Sequence, residues 1–427
     1  MKINMKNKYI WFYILLVLVI LCSITPHIYT KYLKYVNDSK EHKLQKNLEE
    51  ESILQEAKFQ DILTKSAKIP DTQWDIKYQN MPVKDKYKIV FITNRGGEYS
   101  YAKYLKYAAE KIGWEVHIYE ENILGYEKEI LNFDPDFILL AMYTSSYLGT
   151  ELTNHRSKKY VVLLLSIESL RNQLGMLSKN SIYDMSSPLS DHIASVHAVL
   201  TSAKEVDIFK TIFNRLNKPF NGIRILPLIP RVENKPVDPK SLIWGGVGWD
   251  KFRSSENYKQ FITLLSEHFP IKIYGSYRTF SYLPHAYDGS IPPGMSNIEA
   301  IRKNGIYLLT HSETHIESGT PSLRIFEATA ANAVVISDKH PFAIEHFGDN
   351  FLYFDQNADS ETMFRQVKAH MDWIKDHTKE AKEMAARAHQ IFLDKFTLDR
   401  DLIRIAKMHE YIVEQEKKMG LSYPLKY

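Results

Sequence analysis

The sequence predicts an α/β protein with two successive parallel-sheet lobes. Short apolar runs alternate with helical patterns in two separate series, and a proline-rich stretch divides the series. The first series begins with "YKIVFIT" at residues 87–93 and continues with "WEVHIYE", "DFILLAM", "YVVLLLS", "HAVLTSA" and "IRILPLI". The second consists of "SLIWGGVGWD", "PIKIYGS", "NGIYLLTHS", "NAVVISD" and "NFLYFD". Near-continuous apolar strands between helices belong to parallel sheets covered on both faces. The break, residues 230–240, carries Pro230, Pro236 and Pro239 among mixed charges, which is linker composition. Two Rossmann-like lobes facing each other are the expected architecture.

At 427 residues the chain exceeds a single compact core, so two domains with accessory segments are expected. A net charge of +4 and the lack of a long basic run with interleaved aromatics argue against nucleic acid as a partner. Cys22 is the single cysteine, which excludes an intrachain disulfide, a zinc finger and a cysteine nucleophile in the lobes.

The N-terminus has its own composition. Residues 9–24, "YIWFYILLVLVILCSI", follow Lys2, Lys6 and Lys8 and are apolar apart from Cys22 and Ser23. With its flank to residue 28 the run approaches the roughly 20 residues that span a bilayer. Small residues for signal cleavage are missing, so an uncleaved signal anchor is expected at 9–28 behind a basic flank at 1–8. Lys31, Lys34 and Lys40 nearly balance the near-side lysines, leaving the side of the membrane open. Residues 29–69 form the expected helical stalk, and Leu44, Leu48, Ile53, Leu54 and Phe59 at helical spacing make 41–68 a surface for self-association or a solvated spacer. The first lobe is then expected at 70–235, the second at 236–375, and helices packing back across both lobes at 376–427.

The most informative stretch is "SGTPSLRIFEATAANAVVISD", residues 318–338. Thr320 suits a helix N-cap, Pro321 the first helical position, and Gly319 a close backbone approach. A helix start offers unpaired N–H groups and the positive end of the helix dipole, which together seat a phosphate. Arg324 and Glu327 share one helical face. The cation suits a diphosphate and the carboxylate suits a pair of ribose hydroxyls, whereas the plain alternative is a capped helix with a surface ion pair. Asn332 fits a left-handed position after the helix.

This stretch, with "HPFAIEHFGDNFLYFD" after it and "YDGSIPPGMSNIEAIRKNGIYLLTHSETH" and "GGVGWD" before it, resembles the donor-side lobe of group 1 GT-B glycosyltransferases, in the branch that includes CgeB-like spore proteins. The resemblance implies a GT-B fold and transfer of sugar from a nucleotide-sugar co-substrate to a glycan or lipid-linked acceptor, without a metal or other cofactor. It implies that Glu327 grips the donor ribose and Arg324 the diphosphate. Ser322 and the amides around Thr320 would line the phosphates, His311 and His315 would border the sugar, and Gly246 and Gly319 would admit the donor closely. Many relatives carry a second glutamate eight residues before the ribose glutamate; here Gly319 stands there.

An inverting transfer needs a general base in the first lobe. Glu98, Glu168, Asp191 and His192 lie near strand ends, where open α/β sheets bind ligands, and are alternative candidates. Asp134-Pro135-Asp136 imitates a metal-binding Asp-x-Asp but reads as a turn into a strand. His311 and His315 have the spacing of zinc ligands on a helix, yet residues 310–319 read as loop. A nucleotide-sugar epimerase and a non-catalytic scaffold of the same fold are the rival functions.

Overall fold

The computed structural model describes residues 75–93, 97–120, 126–141, 158–159, 161–166, 196–202, 209–210, 213–214, 217–246, 250–420 and 425–426. All of them belong to one compact unit spanning 59–427. The expected anchor and stalk lie outside the described residues. Among the described residues, no helix is long and apolar enough to cross a membrane.

The first lobe is a parallel sheet of six strands. These are β1 (Lys88–Thr93), β2 (Glu115–Glu120), β3 (Phe137–Ala141), β4 (Val161–Ser166), β5 (Ala198–Thr201) and β6 (Gly222–Arg224), in the order β2-β1-β3-β4-β5-β6. Parallel neighbours require crossovers. The first of these contains helix α1 (Gly97–Lys111), and α2 (Tyr126–Phe133) joins β2 to β3. Asp134 takes a positive φ, and Asp136 accepts hydrogen bonds from the Lys84 ammonium and the Lys88 amide, both at 2.8 Å. The Asp-Pro-Asp motif is thus a turn leading into β3. "IRILPLI" is a strand only at its start, because Pro227 and Pro230 cannot donate to a ladder.

The second lobe is also parallel. β7 (Ser241–Gly245), β8 (Ile271–Tyr274), β9 (Gly305–Leu309), β10 (Val334–Asp338) and β11 (Leu352–Phe354) stand in the order β11-β10-β9-β7-β8. All residues of β9 and β10 are buried, as expected for strands covered on both faces. The crossovers contain α3 (Glu256–His268), α4 (Tyr277–Phe280), α5 (Met295–Asn304), α6 (Glu313–Ser318), α7 (Leu323–Ala330) and α8 (Pro341–Phe347).

Three longer helices end the chain: α9 (Ser360–Asp376), α10 (Thr378–Lys395) and α11 (Leu398–Lys418). α10 packs on α7 and β10 of the second lobe, and α11 packs on α1, β4 and β6 of the first. The crossing point is pinned where Leu398 N–H donates to Ile229 O at 2.8 Å. One apolar core runs through α1, the first sheet, α5, α7 and α11, so both lobes share buried surface.

Candidate functional site

The site forms at the C-terminal edge of the second sheet. β9 ends at Leu309, and Thr310 accepts the Trp244 indole N–H at 3.0 Å. Ser312 then caps α6, its hydroxyl oxygen accepting from the His315 amide. Residues 313–318 are therefore helical where sequence reading expected a loop. The missed signal was Ser312 followed by Glu313 in the first turn. Gly319 closes α6 in the left-handed region at φ 62°, which only glycine adopts freely.

The next helix starts later than expected. Ser322, not Thr320, is the N-cap of α7, and Pro321 precedes it. The Gly319 and Thr320 amides are spent on closing α6, donating to Ile316 O and His315 O at 3.1 Å each. The N–H groups that any helix start leaves over are accordingly those of Leu323 and Arg324. Ser322 Oγ is buried and has no hydrogen-bond partner in the protein. A buried hydroxyl in that state costs about 1–3 kcal/mol, which a ligand oxygen or N–H would offset.

Glu327 lies one turn into α7 and is 1% exposed. Its Oε2 accepts from Arg324 Nη1 on the same helical face. Its Oε1 accepts the Tyr104 phenol at 2.8 Å, from α1 of the opposite lobe. Burial, and next the Glu327 charge, push the Tyr104 phenol well up, so it stays a donor. The Tyr307 phenol, also raised by burial, feels both Arg324 and Glu327 and donates to Gly245 O at 3.3 Å. Spacing correctly paired Arg324 with Glu327, but Tyr104 lies 223 residues away and no local pattern announces it.

The histidines form a second layer beside the turn. His311 and Asp338 side chains are both 0% exposed, with His311 Nδ1 2.9 Å from Asp338 Oδ1. The His311 amide donates to the other carboxylate oxygen. His311 Nε2 is buried without a partner. The His340 ring lies tilted against His311 with centroids 4.1 Å apart, accepts the Phe342 amide at Nδ1, and lies 3.0 Å from His315 O through Nε2. His315 Nδ1 is 2.7 Å from Ser312 Oγ. Burial pulls His315 down to about 3, with His311, Arg253 and His340 adding to the effect. Burial and His311 pull His340 down to about 4. Both rings are neutral at neutral pH and serve as hydrogen-bonding groups, not cations.

Gly246 follows β7, the neighbour of β9. A Cβ there would come within 2.9 Å of the Trp244 ring and 3.0 Å of Arg253 Nη1, so only glycine fits. Arg253 was missed from sequence. Asp250 accepts from its backbone N–H at 3.0 Å and from Nε, and only 10% of the Arg253 side chain is exposed. Its charge reaches His315 and Tyr307, which places a fixed cation at the same sheet edge.

His311, His315, Gly319, Thr320, Ser322, Arg324 and Glu327 are thus gathered along the loops after β9, with Gly246 after the adjacent strand. The side chains of the base candidates lie outside the described residues. Glu98 lies in the first turn of α1 with its side chain outside the description, and Glu168, Asp191 and His192 are outside it altogether.

Residues 243–407 match the family model for glycosyl transferase-like proteins. No curated protein sequence matches the chain. Among solved structures, an α-glucosyltransferase in complex with UDP and a 13-mer DNA has a TM-score of 0.52 at 11% identity, covering 76% of this chain and 99% of that one. Sucrose-phosphate synthase from Thermosynechococcus elongatus gives 0.48 at 10% identity, over 78% and 99% of the two chains. Anabaena HepE in complex with UDP-glucose gives 0.46 at 12% identity, over 78% and 100%. The family match runs from within β7 to about the middle of α11 and includes the gathered residues from Gly246 to Glu327, and the two-lobed fold is that of the α-glucosyltransferase. Residues 243–407 thus form a glycosyl transferase-like domain, in a chain whose two lobes have a GT-B-like fold.

Proposed function

We propose that the chain transfers a sugar from a nucleotide-sugar donor to a glycan or lipid-linked acceptor at a membrane. The observation that carries the donor reading is the sequence of features after β9: a left-handed Gly319, a fresh helix start at Ser322–Arg324, and a buried Arg324–Glu327 pair one turn in. The diphosphate would lie against the Leu323 and Arg324 amides and Ser322 Oγ, with Arg324 and Arg253 supplying positive charge. The ribose diol would reach Glu327. His311 and His315 would border the sugar.

In the reaction the acceptor oxygen forms a bond to the anomeric carbon while the bond to the diphosphate breaks, and the nucleoside diphosphate leaves with the electron pair. The acceptor proton passes to a base, for which Glu98, Glu168, Asp191 and His192 stand as candidates. Charge developing on the leaving group is met by fixed amides and guanidinium groups, so the transfer is proposed to proceed without a metal. Lobe closure excludes water that would hydrolyse the donor. The membrane anchor is proposed from the apolar run at 9–24 and its lysine flanks.

A thermal-shift panel of the full chain against UDP-, GDP-, ADP- and CMP-linked sugars tests the donor. UDP sugars come first because the α-glucosyltransferase holds UDP. A donor present at 100 times its Kd should add about 2.7 kcal/mol of stability. No shift with any donor, from folded protein, would leave the non-catalytic scaffold as the better reading.

A further inference from the structure

Glu327, the residue given to the donor ribose, has no open face in this structure. It is 1% exposed, and Tyr104 against it is 0% exposed. Each carboxylate oxygen already has a donor: Oε2 takes Arg324 Nη1, and Oε1 takes the Tyr104 phenol at 2.8 Å. The two donors come from different lobes. Arg324 stands one turn from Glu327 on α7, whereas Tyr104 belongs to α1 of the first lobe. α1 is seated closely on the second lobe here, since a Cβ at Gly294, just before α5, would lie 3.0 Å from Lys103 Cβ. A ribose therefore reaches Glu327 Oε1 only if the phenol gives way.

A phenol O–H and a ribose O–H offer a carboxylate the same kind of hydrogen bond. Burial, and next the Glu327 charge, keep the phenol protonated and donating. A buried carboxylate one donor short is costly, so the phenol keeps Glu327 satisfied until another O–H replaces it. That exchange conserves the hydrogen bond at Oε1. Arg324 need not move in it, and 21% of its side chain is exposed for a first contact with the diphosphate.

We propose that Tyr104 stands in for the donor ribose: its phenol occupies Glu327 until ribose hydroxyls displace it. The proposal rests on the donor reading of Glu327. Phenol and ribose exclude each other at Oε1, so the first lobe competes with the donor for the carboxylate. The measured affinity is then lower than the intrinsic one by the fraction of chains in which Glu327 is released. A nucleotide without ribose hydroxyls has nothing to exchange for the phenol.

Titration calorimetry on the full chain and on Tyr104→Phe tests it, with melting curves to show that the variant, which keeps its ring in the core, is folded. The probes are the nucleoside diphosphate of the donor selected by the thermal-shift panel and its 2′,3′-dideoxy form, which lacks both hydroxyls assigned to Glu327. Tyr104→Phe should bind the ribonucleotide about fivefold more tightly, the fold-change equivalent to one net hydrogen bond. The dideoxy form should bind both proteins equally. Unchanged affinity for the ribonucleotide would overturn the proposal, and weaker binding would do so by making the phenol a nucleotide ligand. An equal gain for both nucleotides would overturn it too, because a merely loosened lobe contact favours either ligand alike. Failure of the donor reading is seen separately, as no nucleotide binding by the unaltered chain or as equal donor affinity in Glu327→Gln.

Discussion

Arg324 and Arg404 are both arginines that bind carboxylates, and their surroundings differ. Arg404 sits between the first lobe and α11: Nε donates to Asp75 at 2.6 Å, Nη1 to Asp401, and Nη2 to Arg224 O at 2.7 Å. All three side chains are at most 9% exposed. Each nitrogen of that guanidinium donates a hydrogen bond and the group is sealed from solvent, and its work is to fasten the last helix to the first lobe. Arg324 has a single carboxylate partner and keeps 21% of its side chain exposed, beside a helix start with amides to spare and a buried hydroxyl lacking a partner. The same ion pairing is structural where every nitrogen is engaged and sealed, and in the proposed function it is directed at a ligand where one side is left open.

The largest effect expected from breaking this contrast is at the sealed site. Arg404→Met leaves the Asp75 and Asp401 carboxylates buried without their cation and should cost about 3–5 kcal/mol in urea denaturation. Donor affinity of the folded fraction should be retained. A cost below about 1 kcal/mol, the scale of exposed pairs, would mean the cluster is not sealed.

Tyr104→Phe acts on the open site. Removing the phenol that donates to Glu327 should lower stability by about 1 kcal/mol, the net worth of one hydrogen bond. Donor affinity should not weaken, since Tyr104 is assigned to the lobe contact and not to the donor. Weaker donor binding in titration calorimetry would make that phenol a donor ligand.

A pH slope tests the histidine layer beside the open site. His315 and His340 protonate at about 3 and about 4 in the folded chain, against an ordinary value near 6.5. The unfolded chain therefore binds more protons in between, and stability present above about pH 6.5 falls as the pH drops toward 4. Melting temperatures between about pH 7 and pH 5 should show this decline, and His340→Gln should make it shallower. An unchanged slope in His340→Gln would mean that His340 titrates normally.

What could be read from sequence divides along similar lines. Strands such as 88–93, 137–141 and 334–338 were legible because an apolar run bounded by turn residues is a local signal. The Arg324–Glu327 pair was legible for the same reason, being one helical turn apart, and Asn332 takes its expected positive φ of 54°. Tyr104, Asp338 and Arg253 were not. Tyr104 and Asp338 meet their partners only through the fold, and the role of Arg253 depends on the return of the chain past Gly246. The N-cap moved from Thr320 to Ser322 because α6 extends far enough to consume the Gly319 and Thr320 amides. Propensity at one helix start cannot reveal that the previous helix ends there.

Glu327 is where the open and the shared parts of the molecule meet, and one titration tests its role. The nucleotide sugar selected by the thermal-shift panel would be titrated calorimetrically into the full chain and into Glu327→Gln, with melting curves to confirm that the variant is folded. Glu327→Gln should weaken the donor roughly 10- to 100-fold, as expected for loss of charge-assisted hydrogen bonds to the ribose. Equal affinity in a folded variant would contradict the assignment and reduce the Arg324–Glu327 pair to a lobe fastener like Arg404.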